Sequence, residues 1–478
     1  MQKCRQFETG SPQPWISRSF LLLKPFAAVA VLLAVAIAAA GQDIKTTEAY
    51  KRIRDVIDRT PAVDTHTHLN PFEMMPTDAM PDGSAVTLHS VIGRTYYTWT
   101  NPLSSWPDDR SFDTWWESAR DDFENARATS FYRFLLPAWR DLYDVDFDTI
   151  TDQQARELNQ SIGKNYADDK WYQDVITAKA NIELAFVDPY WGRLDLENAF
   201  PPYRFIVPLL NVTSLVRASH PSRTGEKDNP FEFAEKHGLP MDTLDDYLRV
   251  IDSIFQAAAE RGCVCLKATH AYERTLSFER VPKARAAIAF GQPREKVTDA
   301  QQKDFEDFMF WHITELSAKH NLPFQIHTGQ ARIQGSNPML LVDLIAANPK
   351  TKFILFHGGF PWVGESAVIA QRYRNVWLDS CWLPTLSYSM ARRAYQEWLD
   401  AIPADRIMWG SDCVHPEGTY GATVLTRRSV AEALAEKVVR DELRIEHAEA
   451  IGRKIMRENA LKLFPQLESR LWRKTGTE

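Results

Sequence analysis

The stretch AVDTHTHLNPF, Ala62 to Phe72, places Asp64, His66 and His68 at alternate positions of an apolar run rich in β-branched residues. Side chains two apart on a strand share a face, so the two imidazoles present nitrogens about 6 to 7 Å apart along it. That spacing suits a divalent ion. Three later apolar runs also end in polar groups: His327-Thr328-Gly329, His357-Gly358-Gly359 and Gly410-Ser411-Asp412. His66, His68, His327 and Asp412 together offer three nitrogens and one oxygen with a position left for water, the pattern of a catalytic zinc site. Mn²⁺ or Fe²⁺ would also accept this ligand set. An ion would satisfy polar groups whose unpaired burial costs several kcal/mol. It would also bring the pKa of bound water toward about 7, giving hydroxide near neutrality. Asp412 is then placed to accept a proton. His357, not needed as a ligand, can polarise a carbonyl or donate to a leaving group. Asp64 lies nearer the start of its run and is assigned a supporting role.

The fourth apolar run contributes Lys267, whose burial is costly enough to imply a specific role, as a carbamate bridging two metals, a cation for a substrate carboxylate, or a salt-bridge partner. Arg274 and Arg332 follow strand ends and are read, with Lys267, as binding an anionic substrate; Tyr272 lies beside them. His270 and His415 follow strand ends closely enough to line a pocket. The remaining histidines fall in segments read as helix, cap or loop, where solvated or packed imidazoles are expected.

The elements that must position these groups are eight short runs: 62–69, 182–188, 203–212, 263–270, 324–329, 352–359, 375–382 and 406–413. Amphipathic helical patterns separate most of them, such as DFEDFMFWHITELSAKH and NPMLLVDLIAANP, the second opening on Asn-Pro as a capped helix does. Repeated strand and helix imply a parallel sheet. Eight units, with no glycine-rich phosphate loop, predict an α/β fold, a closed (β/α)₈ TIM barrel, over residues 60–465. The connector at 70–180 is too long for a structureless loop and its periodicity is helical, which predicts a cap inserted after the first strand. Its aromatic residues are expected to pack mainly on one another, with Trp99 or Trp115 the candidates to face substrate.

A net charge of -7 spread along the chain gives no footprint for nucleic acid. A small molecule is the expected partner, and homo-oligomers are compatible. Residues 1–40 carry Lys3, Arg5, Arg18 and Lys24 before PFAAVAVLLAVAIAAA, the pattern of a cleaved secretory signal; export to the periplasm or beyond follows, without stable membrane insertion. Cys263, Cys265, Cys381 and Cys413 all lie in predicted strands and read as buried thiols.

With these motifs in place, the chain resembles the amidohydrolase superfamily: HxH on the first barrel strand, His on the fifth and sixth, Asp on the eighth. FQIHTG, GSNPMLLVDLIAANPKTKFILFHGGFPWVGE, NVWLDSCW and RIMWGSDC are similar to the amidohydrolase-related branch. That branch includes aminocarboxymuconate-semialdehyde decarboxylase-like enzymes and amidohydrolase domains fused to glutamine-synthetase-like proteins. The long insertion after the first strand is similar to that of uronate isomerases. The resemblance implies a mononuclear or binuclear metal site with His66, His68, His327 and Asp412 as ligands. It makes His357 the catalytic histidine or a ligand of a second metal, and puts Lys267 on the strand where some members carry a carbamylated lysine. The expected activity is hydrolysis of an amide, ester or lactone of a small carboxylated substrate, with decarboxylation or uronate-type isomerisation as the alternative. A metal-free binding barrel is a third reading, which the complete ligand set disfavours.

Overall fold

The computed structural model describes residues 43–224 and 229–471, so the leader read at 1–40 lies outside the described residues. Helix Glu48–Arg59 leads into β1, Ala62–Thr67. The later barrel strands are β2 (Ile182–Val187), β3 (Ile206–Pro208 continued by Leu210–Asn211), β4 (Leu266–Ala268), β5 (Phe324–Ile326), β6 (Phe353–Leu355), β7 (Val376–Asp379) and β8 (Ile407–Met408). Each pairs in parallel with its neighbour in chain order. The first half of β3 pairs with β2 and its second half with β4, so one run of chain bridges two sheets. The remaining gap is spanned by backbone bonds from the first strand to the last. Thr65 N–H donates to Trp409 O (3.2 Å), Asp412 N–H to His66 O (3.0 Å) and His68 N–H to Cys413 O (2.9 Å). The predicted TIM barrel is borne out.

Both faces of such strands are covered, which is why they read as nearly continuous apolar runs. One set of side chains, including Val63, Phe186, Val207, Leu209, Ile354, Phe356 and Met408, packs as a cluster with Phe464 and Leu467 of the C-terminal segment. Helices Leu244–Arg261, Asp299–Lys319, Val363–Arg372 and Tyr388–Ala401 fall between later strands. Several strands are shorter than the apolar runs that announced them, β8 most of all. The backbone leaves the sheet before the chemically interesting residues: His357, Trp382 and Asp412 all have positive φ, at 61°, 65° and 58°. Such conformations cost non-glycine residues of order 1–3 kcal/mol and persist only where the surroundings enforce them.

Between β1 and β2 the chain forms a short hairpin, Asp78–Met80 with Gly83–Ala85, and helices including Phe112–Asp122, Leu136–Tyr143 and Asp152–Asn165. Trp115, Trp116, Phe123, Trp139 and Phe147 are buried within this segment, and Trp116 and Phe123 each lie against Phe147. The segment meets helix Pro416–Val439 backbone to side-chain face: a Cβ added at Gly421 would overlap the Phe134 carbonyl oxygen. Among the described residues no helix is long and apolar enough to cross a membrane.

That contact sets a prediction. Alanine normally favours a helix interior by about 1 kcal/mol over glycine, but a clash with a fixed carbonyl costs about 1–3 kcal/mol. Gly421→Ala should therefore lower the unfolding free energy in a urea titration. Gly163→Ala, where an added Cβ meets Val86 O at an ordinary 3.5 Å, should leave it unchanged or raise it by up to about 1 kcal/mol.

Candidate active site

At the C-terminal end of the barrel, His66 Nε2 and His68 Nε2 each lie 3.4 Å from Asp412 Oδ1. The strand pairing of β1 with β2 slips between Asp64 and Thr67, so the simple two-residue parity is adjusted there by a bulge, a common device beside functional sites. The bonds joining β1 to β8 fix the two strand ends, because His66 O accepts from the N–H of Asp412 itself. Asp64 reinforces the seam: its Oδ1 accepts from Ser411 N–H at 2.9 Å and from His66 N–H at 3.2 Å. Burial pushes its carboxyl up to about 7 despite those bonds.

The protonation pattern follows from the partners. His68 Nδ1–H donates to Asp188 O at 3.0 Å, which turns Nε2 toward Asp412; burial lowers the pKa of this imidazole, but its hydrogen bond with Asp412 outweighs that and raises it. Both carboxylate oxygens of Asp188 accept from Asn211 Nδ2, at 2.9 and 3.0 Å, so this support is itself held. Burial, then Lys267 and His68, push the His66 imidazole well below its usual value and keep it neutral. Burial would raise Asp412, but the hydrogen bond with His68 and the surrounding imidazoles outweigh it, so the carboxyl is held well below the usual range. Two imidazole nitrogens each 3.4 Å from one carboxylate oxygen, the three atoms all within 4.8 Å of one another, suit the ligand spacing of a tetrahedral ion with bonds of about 2.1 Å. His66 Nδ1 is buried without a hydrogen-bond partner. The residues present fit a divalent metal, which His66, His68 and Asp412 would hold.

His327 stands apart from that trio. Its Nε2–H donates to Gln330 O at 2.8 Å and its Nδ1 faces His357 Nε2 at 2.9 Å, so both nitrogens are engaged elsewhere. His357 in turn donates from Nδ1 to Cys381 O at 3.0 Å. With both outer nitrogens donating to carbonyls, the facing nitrogens are two acceptors, an arrangement that a shared proton stabilises. Burial opposes that charge and Lys267 adds to the opposition, while Asp412 favours it; the balance holds His357 down at about 4. His357 also belongs, with Cys381 and Asp412, to a second group whose ligand-type atoms lie close together.

Lys267 reaches the cluster. Its Nζ lies 3.3 Å from His66 Nε2 and 4.0 Å above the Phe356 ring. Burial pushes its pKa down, against the pull of Asp412. The assignment of Arg274 and Arg332 to a substrate anion is corrected by their contacts. Arg274 ion-pairs with Glu306 at 2.9 Å and Asp307 at 2.6 Å, and Arg332 donates to Glu273 O. Partners on a neighbouring helix have claimed the first guanidinium and a loop carbonyl the second. The arginines that do line the cavity are Arg94 and Arg193, which sequence reasoning missed because they sit in irregular loops with no periodic signal. His270 is buried edge-on to Phe278 and Phe310, away from the site. Among the described residues, Cys263, Cys265, Cys381 and Cys413 are buried and unpaired.

The cavity over this cluster measures about 350 Å³, within the range of small-molecule sites. His68, Asp188, Asp412 and His415 line its polar side, and Tyr96, Trp99, Tyr190 and Tyr272 its aromatic side. Trp99 thus faces the cavity, whereas Trp115 is buried in the insertion.

A barrel with a histidine and aspartate cluster at its C-terminal rim could carry a metal there, and part of the chain is similar to a known family. The amidohydrolase family model matches residues 291–466. Protein fluG of Emericella nidulans is 29% identical over 150 residues, 30% of this chain and 17% of that protein, so the match spans under a fifth of the relative's length. The fold is similar to uronate isomerase from Thermotoga maritima (TM-score 0.70, 16% identity, 88% of this chain and 98% of that one). It is also similar to a putative metal-dependent hydrolase from Lactobacillus casei (TM-score 0.61, 18% identity, 88% and 98%). Glucuronate isomerase from Caulobacter crescentus follows the same fold (TM-score 0.68, 15% identity, 87% and 94%). The resemblance to the amidohydrolase superfamily drawn from the motifs is borne out.

If His66, His68 and Asp412 hold the ion, Asp412→Ala and His68→Ala should each weaken zinc or manganese binding at least tenfold in a chelator competition. His357→Asn should leave the affinity within about threefold of wild type; a loss matching that of Asp412→Ala would make His357 a ligand.

Proposed function

We propose that the protein is a metal-dependent hydrolase acting on an amide, ester or lactone of a small carboxylated substrate. The observation that carries this reading is the trio of His66, His68 and Asp412, two imidazole nitrogens each 3.4 Å from one ionised carboxylate, with His68 and Asp412 lining the cavity. The trio would hold a divalent ion, most simply Zn²⁺, with Mn²⁺ or Fe²⁺ also accommodated, and such an ion supplies Lewis acidity and an activated water. The chain's own residues do the rest. Arg94 and Arg193 place positive charge on the cavity wall, which favours a carboxylate. Tyr96, Trp99, Tyr190 and Tyr272 narrow the mouth and displace water from the reacting groups. His357 Nε2 and His327 Nδ1, two acceptors 2.9 Å apart, take up the proton that the attacking water gives up and return it to the leaving group. Lys267, beside the cluster, offsets negative charge that develops at a substrate oxygen.

A second reading, uronate-type isomerisation, is favoured by one observation: the isomerase folds match over 87–88% of this chain, the insertion included. Isomerisation needs a proton moved between adjacent carbons, and the same histidine pair offers the acceptor. We read the protein as exported, on the pattern at 1–40.

The metal-loaded protein should be incubated in ¹⁸O-labelled water with N-acyl amino acids, hydroxy-acid lactones and hexuronates, followed by mass spectrometry. One labelled oxygen retained in a cleaved carboxylate is the expected result. Turnover confined to hexuronates, with no bond cleaved, would replace hydrolysis by isomerisation. On whichever substrate turns over, Arg94→Ala should raise KM about tenfold or more with a smaller change in kcat, reflecting a lost charge-assisted bond worth about 1.5–3 kcal/mol.

A further inference from the structure

Three residues beyond Asp412, the chain builds a second polar device that the metal trio does not use. Glu417, in the first turn of helix Pro416–Val439, is fully buried. Its Oε1 accepts from Tyr143 OH at 2.6 Å, and its Oε2 from Tyr166 OH at 2.7 Å and from His415 Nδ1 at 3.0 Å. Burial would raise its pKa, but these three bonds outweigh it and hold the carboxyl below its usual value, so the group is ionised. Both tyrosines belong to the insertion between β1 and β2, more than two hundred residues away. At the other end of the network, His415 is 1% exposed, lines the cavity shared with His68 and Asp412, and leaves Nε2 buried without a hydrogen-bond partner.

Two arrangements of the His415 proton compete. Gly418 N–H approaches Nδ1 at 3.3 Å, which would make Nδ1 a helix-capping acceptor and put the proton on Nε2. Glu417 Oε2 approaches the same Nδ1 at 3.0 Å, which requires a proton there. The carboxylate prevails. Its bond is shorter and charge-assisted, roughly twice as strong as a neutral one, and a bare Nδ1 would set a lone pair against a buried negative charge. His415 Nε2 therefore carries the lone pair.

We propose that His415 is a substrate-binding residue, its bare Nε2 presented to the cavity as the acceptor for a substrate O–H or N–H. Glu417 is the positioning residue that sets the tautomer, and Tyr143 and Tyr166 tie that setting to the docked insertion. This deepens the hydrolase reading and rests on it only for the cavity being the substrate site. The substrate class it adds is a carboxylated molecule bearing a hydroxyl or amide N–H near the reacting carbonyl, such as an N-acyl amino acid or the lactone of a polyhydroxy diacid that keeps a free carboxylate and hydroxyl.

The test uses the full chain labelled with ¹⁵N-histidine, His415 being assigned by the signal lost in His415→Gln. Two-bond nitrogen–proton correlation should show His415 protonated at Nδ1 in the wild type and at Nε2 in Glu417→Gln, whose amide can donate to Nδ1. Diethyl pyrocarbonate, which acylates unprotonated imidazole nitrogen, should modify His415 at least tenfold faster in wild type than in Glu417→Gln, by peptide mass mapping. An Nε2–H tautomer in the wild type overturns the proposal in favour of simple helix capping. So does an unmodified His415, because its lone pair would then not open to the cavity. Neither readout needs turnover or a bound metal, so a failure of the hydrolase reading and a failure of this one register separately.

Discussion

A carboxylate sealed from water at the end of β8 has to be compensated, and much of the barrel's upper rim is arranged around that need. Asp412 is 4% exposed and ionised. An isolated charge in such surroundings would neutralise itself by taking up a proton. Here His68, His66, His357 and, at longer range, Lys267 hold it in the charged form. These come from the ends of three different strands, β1, β4 and β6, so the charge is held only when the ring brings them together. The bond from Asp412 N–H to His66 O makes the same demand of the backbone, since the residue's positive φ is enforced by its pairing with β1.

The support extends outward by definite steps. Asn211 on β3 orients Asp188, the Asp188 carbonyl fixes the proton on His68 Nδ1, and that leaves His68 Nε2 free to face Asp412. Losing the amide of Asn211 would remove both hydrogen bonds to a buried carboxylate beside the site, although Asn211 itself neither belongs to the cluster nor lines the cavity. Positions of this kind are where substitutions act at a distance on metal affinity.

The barrel was legible because a strand covered on both faces must be apolar nearly throughout, and the eight apolar runs of the sequence coincide with the eight strands. The histidines and aspartate stood out for a related reason: a polar residue at the end of a buried run needs a partner. Trp99, Tyr272 and His415 do reach the cavity, but the readings of the long cationic side chains beyond the strand ends, Arg274 and Arg332, failed. Arg274 looked like a substrate anchor, yet its carboxylate partners lie 32 and 33 residues onward, on a helix whose orientation the sequence does not disclose. His327 carried the same signal as His66 and His68, but its rotamer is set by the Gln330 carbonyl and by His357, contacts that depend on local loop geometry. Glu417 gave no signal at all, being one acidic residue among many in a first helical turn, with tyrosine partners 274 and 251 residues away.

Those tyrosines bear on how one scaffold serves different reactions. The barrel rim fixes a cluster that can activate a carbonyl, and that part is compatible with hydrolysis, decarboxylation or isomerisation alike. In the proposed reading, which bond breaks depends on where the rest of the substrate is held, and Arg94, Trp99 and the other groups that line the cavity would decide that. A segment free to drift would hold these groups too loosely to discriminate. Two buried phenol-to-carboxylate bonds and a backbone approach at Gly421 allow little drift, so the insertion is registered on the same short stretch, Asp412 to Gly421, that carries the metal-side carboxylate. Substrate-selecting and activating groups are thereby referenced to one piece of backbone. That shared reference lets the selecting surface change in evolution while the activating one stays in place.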